Sequence, residues 1–366
     1  MTQTVAFPSG TRDGRLTPEE YENGILAADR GVLSRFITLL ESRLIEDRRL
    51  AQRVLTTILP HSGRSIRVGI TGVPGAGKST LIESLGLMLT AQGHRVAVLT
   101  VDPTSRISGG SILGDKTRMI DLSRDPRAFI RPSPSGETLG GVARNTREVM
   151  LSCEASGFDI VLIETVGVGQ SETVVADMVD FFLVVLIAGA GDELQGIKRG
   201  LMEMADMVAI NKADGNNKLS AERACGLYQK AMQLMHPAES PWTPPVLTCS
   251  AATNTGIDVL WSQILKHRTR FEASAWFAKR RRDQMVQWMW DLVNEHIQHL
   301  LHDRPEVREV SAHAEVAVRS GSMTPADGAE SVLRAIGLCR AGSELKEGSD
   351  EASGYRADEE VGPERR

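Results

Sequence analysis

The sequence has no apolar run of the ~18 residues that a membrane-spanning helix needs. Its longest, "FFLVVLIAGA" from Phe181 to Ala190, has the length of a buried strand. The first residues, "MTQTVAFPSGTRDGR", lack a charged-then-apolar leader pattern, so secretion is not expected and the chain reads as cytoplasmic. Cysteine is scarce and scattered. Cys153, Cys225, Cys249 and Cys339 show no Cys-x-x-Cys spacing, which argues against a zinc ribbon or disulfide framework and for reduced thiols. Histidine-rich runs and internal repeats are also lacking. His296, His299 and His302 recur every three residues, so they turn around a helix instead of aligning for a metal. The net charge of −5 is mild and gives no ground for a nucleic-acid partner. One basic cluster, Lys279-Arg280-Arg281-Arg282, reads as a solvated or partner-contacting helix face.

What is present is ordinary in bulk and specific in pattern. With 41% apolar and 24% charged residues over 366 positions, the chain suits a soluble protein of two or three domains at roughly 100–200 residues each. Residues 1–63 read as helical. Thr17-Pro18-Glu19-Glu20 is a helix start with a capping hydroxyl, proline in the first turn and early acids. Val32, Phe36, Leu39 and Leu40, then Leu50, Val54, Leu55 and Ile58, form packing faces at helical spacing. Residues 64–270 alternate apolar strands with helical stretches. Expected strands are Arg67–Thr71, Val96–Val101, Phe129–Arg131, Asp159–Glu164, Phe181–Ile187, Met207–Asn211 and Val246–Ser250. That alternation predicts an α/β fold with a mostly parallel sheet covered on both faces, and ligands at the carboxyl ends of its strands. Residues 271–337 turn helical again, and 338–366 are expected to form a disordered polar tail.

Every motif falls at a strand's carboxyl end. "GVPGAGKST" follows the strand "IRVGIT" and precedes an amphipathic helix, fitting Gly-x4-Gly-Lys-[Ser/Thr]. Its glycines let backbone amides converge on phosphates at a helix N-terminus. Gly75, Ala76, Gly77, Lys78, Ser79 and Thr80 are therefore nucleotide-binding candidates, with Lys78 on the β- and γ-phosphates and Ser79 on magnesium. Asp102, Asp115 and Glu164 are acids where a magnesium shell can use them, directly or through water. "Asn211-Lys212-Ala213-Asp214" ends another strand. A carboxylate there can accept both hydrogen bonds from the N1–H and N2–H₂ edge of guanine, a pair that adenine lacks. Lys212 would cover the base, Asn211 would tie this loop to the phosphate loop, and the backbone of Ser250, Ala251 and Ala252 would meet the guanine oxygen.

Together "GVPGAGKST", "TVDPTS", "GDKTRM", "TLGGVARNT", "IETVGVGQSE", "GDELQGIKRG" and "NKAD" resemble one family over roughly residues 17–337. It is the GTPase chaperones of adenosylcobalamin-dependent methylmalonyl-CoA mutase, once regarded as arginine/ornithine transport ATPases. They belong to the P-loop GTPases of the signal-recognition and metallochaperone class. The resemblance implies a GTPase domain between an N-terminal helical domain and a C-terminal dimerisation arm, a homodimer, GTP/GDP and Mg²⁺ as ligands, and cobalamin on the mutase and not on this chain. It implies an acyl-CoA mutase as partner, with an adenosyltransferase as a further one. The family loads intact cofactor and helps expel inactivated cofactor. Lys78, Glu164 and Gly167 are the implied catalytic positions. Gln170, Ser171, Asp192, Gln195 and Lys198 are the implied switch and partner-coupling positions. Pro132–Glu137 departs from the pattern and receives no role.

No polar residue stands out to position the attacking water, since Val168 and Gly169 follow Gly167. Hydrolysis is therefore expected to be slow alone and faster with the partner. Glu164, in place of the commoner aspartate, is expected to reach magnesium and couple it to Gly167 through Ser171. Met285, Trp288, Met289 and Leu292 share a helix face that needs cover, either from the chain's own GTPase domain or, as the family resemblance favours, from a twofold seam. Three other classes fit less well. A small-molecule kinase needs an acceptor pocket and base, a nickel metallochaperone needs His-rich or Cys-His ligands, and a protein-targeting GTPase needs a Met-rich domain.

Overall fold

The computed structural model describes residues 15–42, 44–101, 119–132, 139–165, 171–189, 199–235, 241–272 and 276–338. Seven strands lie among them: β1 Ile66–Gly72, β2 Val96–Val101, β3 Ala128–Pro132, β4 Ile160–Thr165, β5 Phe181–Ile187, β6 Met207–Asn211 and β7 Val246–Thr248. All pair parallel in the order β3-β2-β4-β1-β5-β6-β7. Nearly every strand residue is buried, as a sheet covered on both faces requires. The order reverses beside β1, so the carboxyl ends of β1, β4 and β5 lie where α/β sheets bind ligands.

The chain opens with α1 Pro18–Leu26, α2 Arg30–Leu40 and α3 Ile45–Ile58. The α1 start forms as its sequence demands: Glu20 N–H donates to Thr17 Oγ1 at 3.2 Å, and Thr17 N–H donates to the Glu20 carboxylate at 2.7 Å. Leu33, Phe36 and Ile37 are fully buried and join the core that covers one sheet face. Around the sheet stand α4 Lys78–Ala91, α5 Ile120–Arg124, α6 Leu139–Ala155, α7 Ser171–Ala176, α8 Arg199–Met204, α9 Lys218–Met235 and α10 Ile257–Glu272. Two apolar clusters result, one on each face. Val161 and Ile163 belong to the first, and Val68, Ile70 and Leu162 to the second beside α4.

A long helix, α11 Trp276–Asp303, follows, and the chain divides into two compact units at Leu292 and Val293. Within the first unit, α11 is fixed to the amino-terminal edge of the sheet. Arg281 Nε and Nη2 donate to the two oxygens of Asp180 at 2.8 and 2.6 Å, and Nη2 also donates to Ser65 O at 2.7 Å. The basic cluster is therefore not a uniform solvated face, because Arg281 spends its charge on a buried carboxylate. The expected apolar seam also divides. Trp288 is buried in the unit's own core under the Arg147 guanidinium, and Leu292 packs beside it. Met285 and Met289 stand exposed, with Val286 and Trp290. The second unit holds α12 Pro305–Arg319 and α13 Pro325–Ala335, each with proline in its first turn.

Candidate nucleotide site

The phosphate loop is shaped by what cannot fit there. Gly72 ends β1 at φ +146°, and a Cβ on it would stand 1.9 Å from the Val185 carbonyl oxygen of β5. No side chain can occupy that point without moving the sheet. Gly77 has φ +85°, and its Cβ would meet Asn211 Nδ2 at 2.7 Å. Helix α4 begins directly after it with no side-chain cap, so its first amides point outward as an anion site. Lys78 is buried, and Nζ donates to the carbonyls of Gly72 at 2.8 Å and Val73 at 3.3 Å. Gly75 and Thr80 are exposed at the mouth, while Ala76 is buried.

Glu164 stands at the end of β4, opposite Ile70 of β1 and Thr100 of β2. Ser79 Oγ donates to Glu164 Oε1 at 2.8 Å. A hydroxyl and a carboxylate oxygen thus meet at the loop, a hard-oxygen pair that fits Mg²⁺. Among the described residues no cluster of three or more His, Cys, Asp or Glu side chains has metal-holding geometry. A nucleotide-bound magnesium needs none, because phosphate oxygens and waters take most of its positions.

Asn211 joins the two halves of the site. Its Nδ2 donates to Ala76 O at 2.8 Å, and its Oδ1 accepts from Ala251 N–H at 3.1 Å. Cys249 Sγ lies 3.6 Å from the same oxygen, its thiol pushed up to about 12 by burial and so kept neutral. Lys212 is exposed at φ +59°, a left-handed backbone held by Asn217 Nδ2 donating to Lys212 O at 2.8 Å. That turn brings Asp214 to Ser250, whose Oγ donates to the carboxylate. Ser250 is itself fixed by a two-way backbone bridge to Thr255, at 2.9 and 3.0 Å, and so leaves β7 early. Ala252 is exposed beside it.

The sequence did not point to Ser84, whose Oγ donates to Ala251 O at 2.8 Å and ties α4 to the second loop. Nothing in the one-dimensional pattern pairs positions 167 residues apart. Ser171 opens α7. Asp102, Asp115, Gly167, Gln170, Asp192, Gln195 and Lys198 lie outside the described residues.

An all-parallel sheet with Gly-x4-Gly-Lys-Ser after its first strand and Asn-Lys-x-Asp after its sixth defines a P-loop GTPase. Its relatives narrow the class. Residues 33–306 match the family described as Methylmalonyl Co-A mutase-associated GTPase MeaB, and the chain belongs to that family. A relative in Caulobacter vibrioides, whose name says only GTPase, is 54% identical over 320 residues, covering 87% of this chain and 98% of that one. The mouse (Mus musculus) "methylmalonic aciduria type A homolog, mitochondrial" is 46% identical over 323 residues, covering 86% of this chain and 78% of that protein. A crystal structure described as LAO/AO transport system kinase superposes with TM-score 0.71 at 37% identity, covering 88% of this chain and 98% of that one.

Proposed function

We infer that the protein is a GTP-driven chaperone of an adenosylcobalamin-dependent acyl-CoA mutase, with methylmalonyl-CoA mutase the first choice. It gates the loading of intact cofactor and the release of damaged cofactor. The observation that carries this reading is the match, over most of the chain, to a family named for its association with that mutase. The bridge from Ala76 through Asn211 to Ala251 supports the nucleotide half, since it sets phosphate and base loops at one fixed separation. Asp214, held by Ser250, reads the guanine edge. A site built to pair those donors rejects adenine, whose edge would leave the carboxylate unpaired.

In this reading Lys78 turns from the loop carbonyls to the β- and γ-phosphates, and the α4 amides surround them. Ser79 and Glu164 hold the magnesium region, joined by Asp102 and Asp115. Magnesium, when bound, neutralises charge that develops during phosphoryl transfer. Gly167 completes the catalytic set, and the chain's own contribution is mostly positioning, so turnover alone is slow. Gln170, Ser171, Asp192, Gln195 and Lys198 carry the partner's influence. The exposed Val286, Met289 and Trp290 of α11 suit a homodimer, and an adenosyltransferase is a further partner. Cobalamin stays on the mutase. Among the described residues no helix is long and apolar enough to cross a membrane, and a cytoplasmic setting fits the reading.

The test is affinity capture from extract of the native cell, followed by GTPase assay with the captured protein. Recovery of a cobalamin mutase that raises GTP turnover supports the reading, and recovery of none counts against it. The similarity to a protein described as a transport kinase gives one rival. Labelled phosphate released free in solution favours the GTPase; label found in an amino acid favours the kinase.

A further inference from the structure

Two hydroxyls lie beneath the nucleotide loops on the sheet face away from Ser79 and Glu164. Thr165 Oγ1 donates to Thr71 Oγ1 at 2.8 Å, and both residues are fully buried. Their positions follow from register. Ile70 lies across from Glu164 between β1 and β4, so Thr71 and Thr165 form the next rung. Side chains alternate along a strand. Glu164 therefore faces α4 with Leu162, where Ser79 meets it, and Thr165 faces the opposite cluster with Val161 and Ile163. Thr71 is the residue immediately before Gly72, where the phosphate loop begins. One buried bond thus joins the root of the phosphate loop to the residue after Glu164.

Packing alone does not call for these hydroxyls. Valine has nearly the same shape as threonine, and the neighbouring face is apolar. Two valines would fill the place without needing partners. A hydrogen bond adds direction, which apolar contact lacks. It fixes how far the end of β4 stands from the end of β1, and hence where the Glu164 carboxylate meets Ser79 at the mouth of α4.

We propose that Thr71 and Thr165 are a pair of positioning residues that set the Glu164 carboxylate against the phosphate loop for GTP hydrolysis. The pair stands on the GTPase site alone and is independent of which mutase is the partner. Both residues are fully buried, and the role needs no contact between either hydroxyl and the nucleotide.

The test compares the full chain with Thr71→Val, Thr165→Val, the double valine variant and a Thr71→Ser/Thr165→Ser variant. Partner-free GTP hydrolysis is measured at varied GTP and Mg²⁺, with Mg²⁺-dependent release of fluorescent GDP and the unfolding midpoint alongside. Each single valine leaves one buried hydroxyl unpaired, so both singles unfold earlier; the double removes both hydroxyls and regains most of its midpoint. A structural role predicts that activity returns with the midpoint. The positioning role predicts that the double stays about 10- to 100-fold low in kcat, with KM for GTP nearly unchanged and more Mg²⁺ needed to slow GDP release. The serine pair, which keeps both hydroxyls, retains activity. A double valine variant with restored kcat and unchanged Mg²⁺ dependence would overturn the proposal. A serine pair as slow as the valine pair would overturn it too.

Discussion

Asn211→Ala removes a side chain that bonds to both nucleotide loops. Asn211 is 1% exposed, and it serves the Ala76 carbonyl and the Ala251 amide at 2.8 and 3.1 Å. Both of those residues are themselves buried. Truncation leaves an acceptor and a donor unserved, each costing about 1–3 kcal/mol, or about 2–6 kcal/mol together. Part of this falls on the nucleotide-free fold, where a few kcal/mol lowers the unfolding midpoint by several degrees in a unit of this size. The rest falls on binding, because loops no longer held at one separation must be ordered by the ligand. Assigning half to each gives a GDP affinity about 5- to 150-fold weaker. Asn211→Asp is a sharper control. It keeps an acceptor for Ala251 but turns a carboxylate oxygen toward the Ala76 carbonyl, so it should bind no better than alanine. Calorimetric titration with GDP and thermal unfolding read both effects. Wild-type affinity and midpoint in the alanine variant would refute the view of Asn211 as the bridge.

Three further outcomes follow from buried charge. Glu154 is almost fully buried; burial alone would raise its pKa, but Arg67, Ser65 and the Gly63 amide outweigh that and hold it below the ordinary carboxylate value. Arg67→Met should therefore cost about 3–5 kcal/mol, with Arg67→Met/Glu154→Met less damaged in denaturant melts; a double variant worse than the single would contradict this. His267 is held down at about 4 by burial, so its contribution is lost as pH falls from 6.5 toward 4; Asp206 is pushed up to about 6 by burial, so its contribution is lost as pH rises from 3.8 through 6. The two side chains lie 3.6 Å apart and their slopes oppose, so melts of His267→Leu should show stability falling from pH 4 to 6 and those of Asp206→Asn should show it rising; parallel slopes would contradict this. Glu164→Ala should weaken partner-stimulated hydrolysis more than GTP binding, measured by turnover and titration; the reverse would make Glu164 a plain metal ligand.

The sheet was legible because parallel strands buried on both faces must be apolar throughout. Val96–Val101, Phe181–Ile187 and Met207–Asn211 take the bounds their runs set. The last strand stops at Thr248 instead of Ser250, since Ser250 turns away to pair with Thr255. On α2, Leu33 and Ile37 are as buried as Phe36, so the helix hides a broader face than its marked apolar positions implied. The phosphate and base motifs were legible because their chemistry fixes residue types at short spacing. Contacts across long sequence separations were not. Arg281 looked solvated because its partner Asp180 lies 101 positions earlier, and the hydroxyl pair of Thr71 and Thr165 spans 94. Trp288 looked like part of a partner-facing seam because nothing local shows that Arg147 and the unit's own core cover it.

The most direct test of the central claim is the rate of GTP hydrolysis by the purified protein, alone and with a saturating adenosylcobalamin-dependent acyl-CoA mutase. The expected result is slow turnover alone and a rise of up to ~10³-fold with the mutase, at the lower end of what partners add to other GTPases. Rapid hydrolysis by the protein alone, unchanged by the mutase, would contradict it.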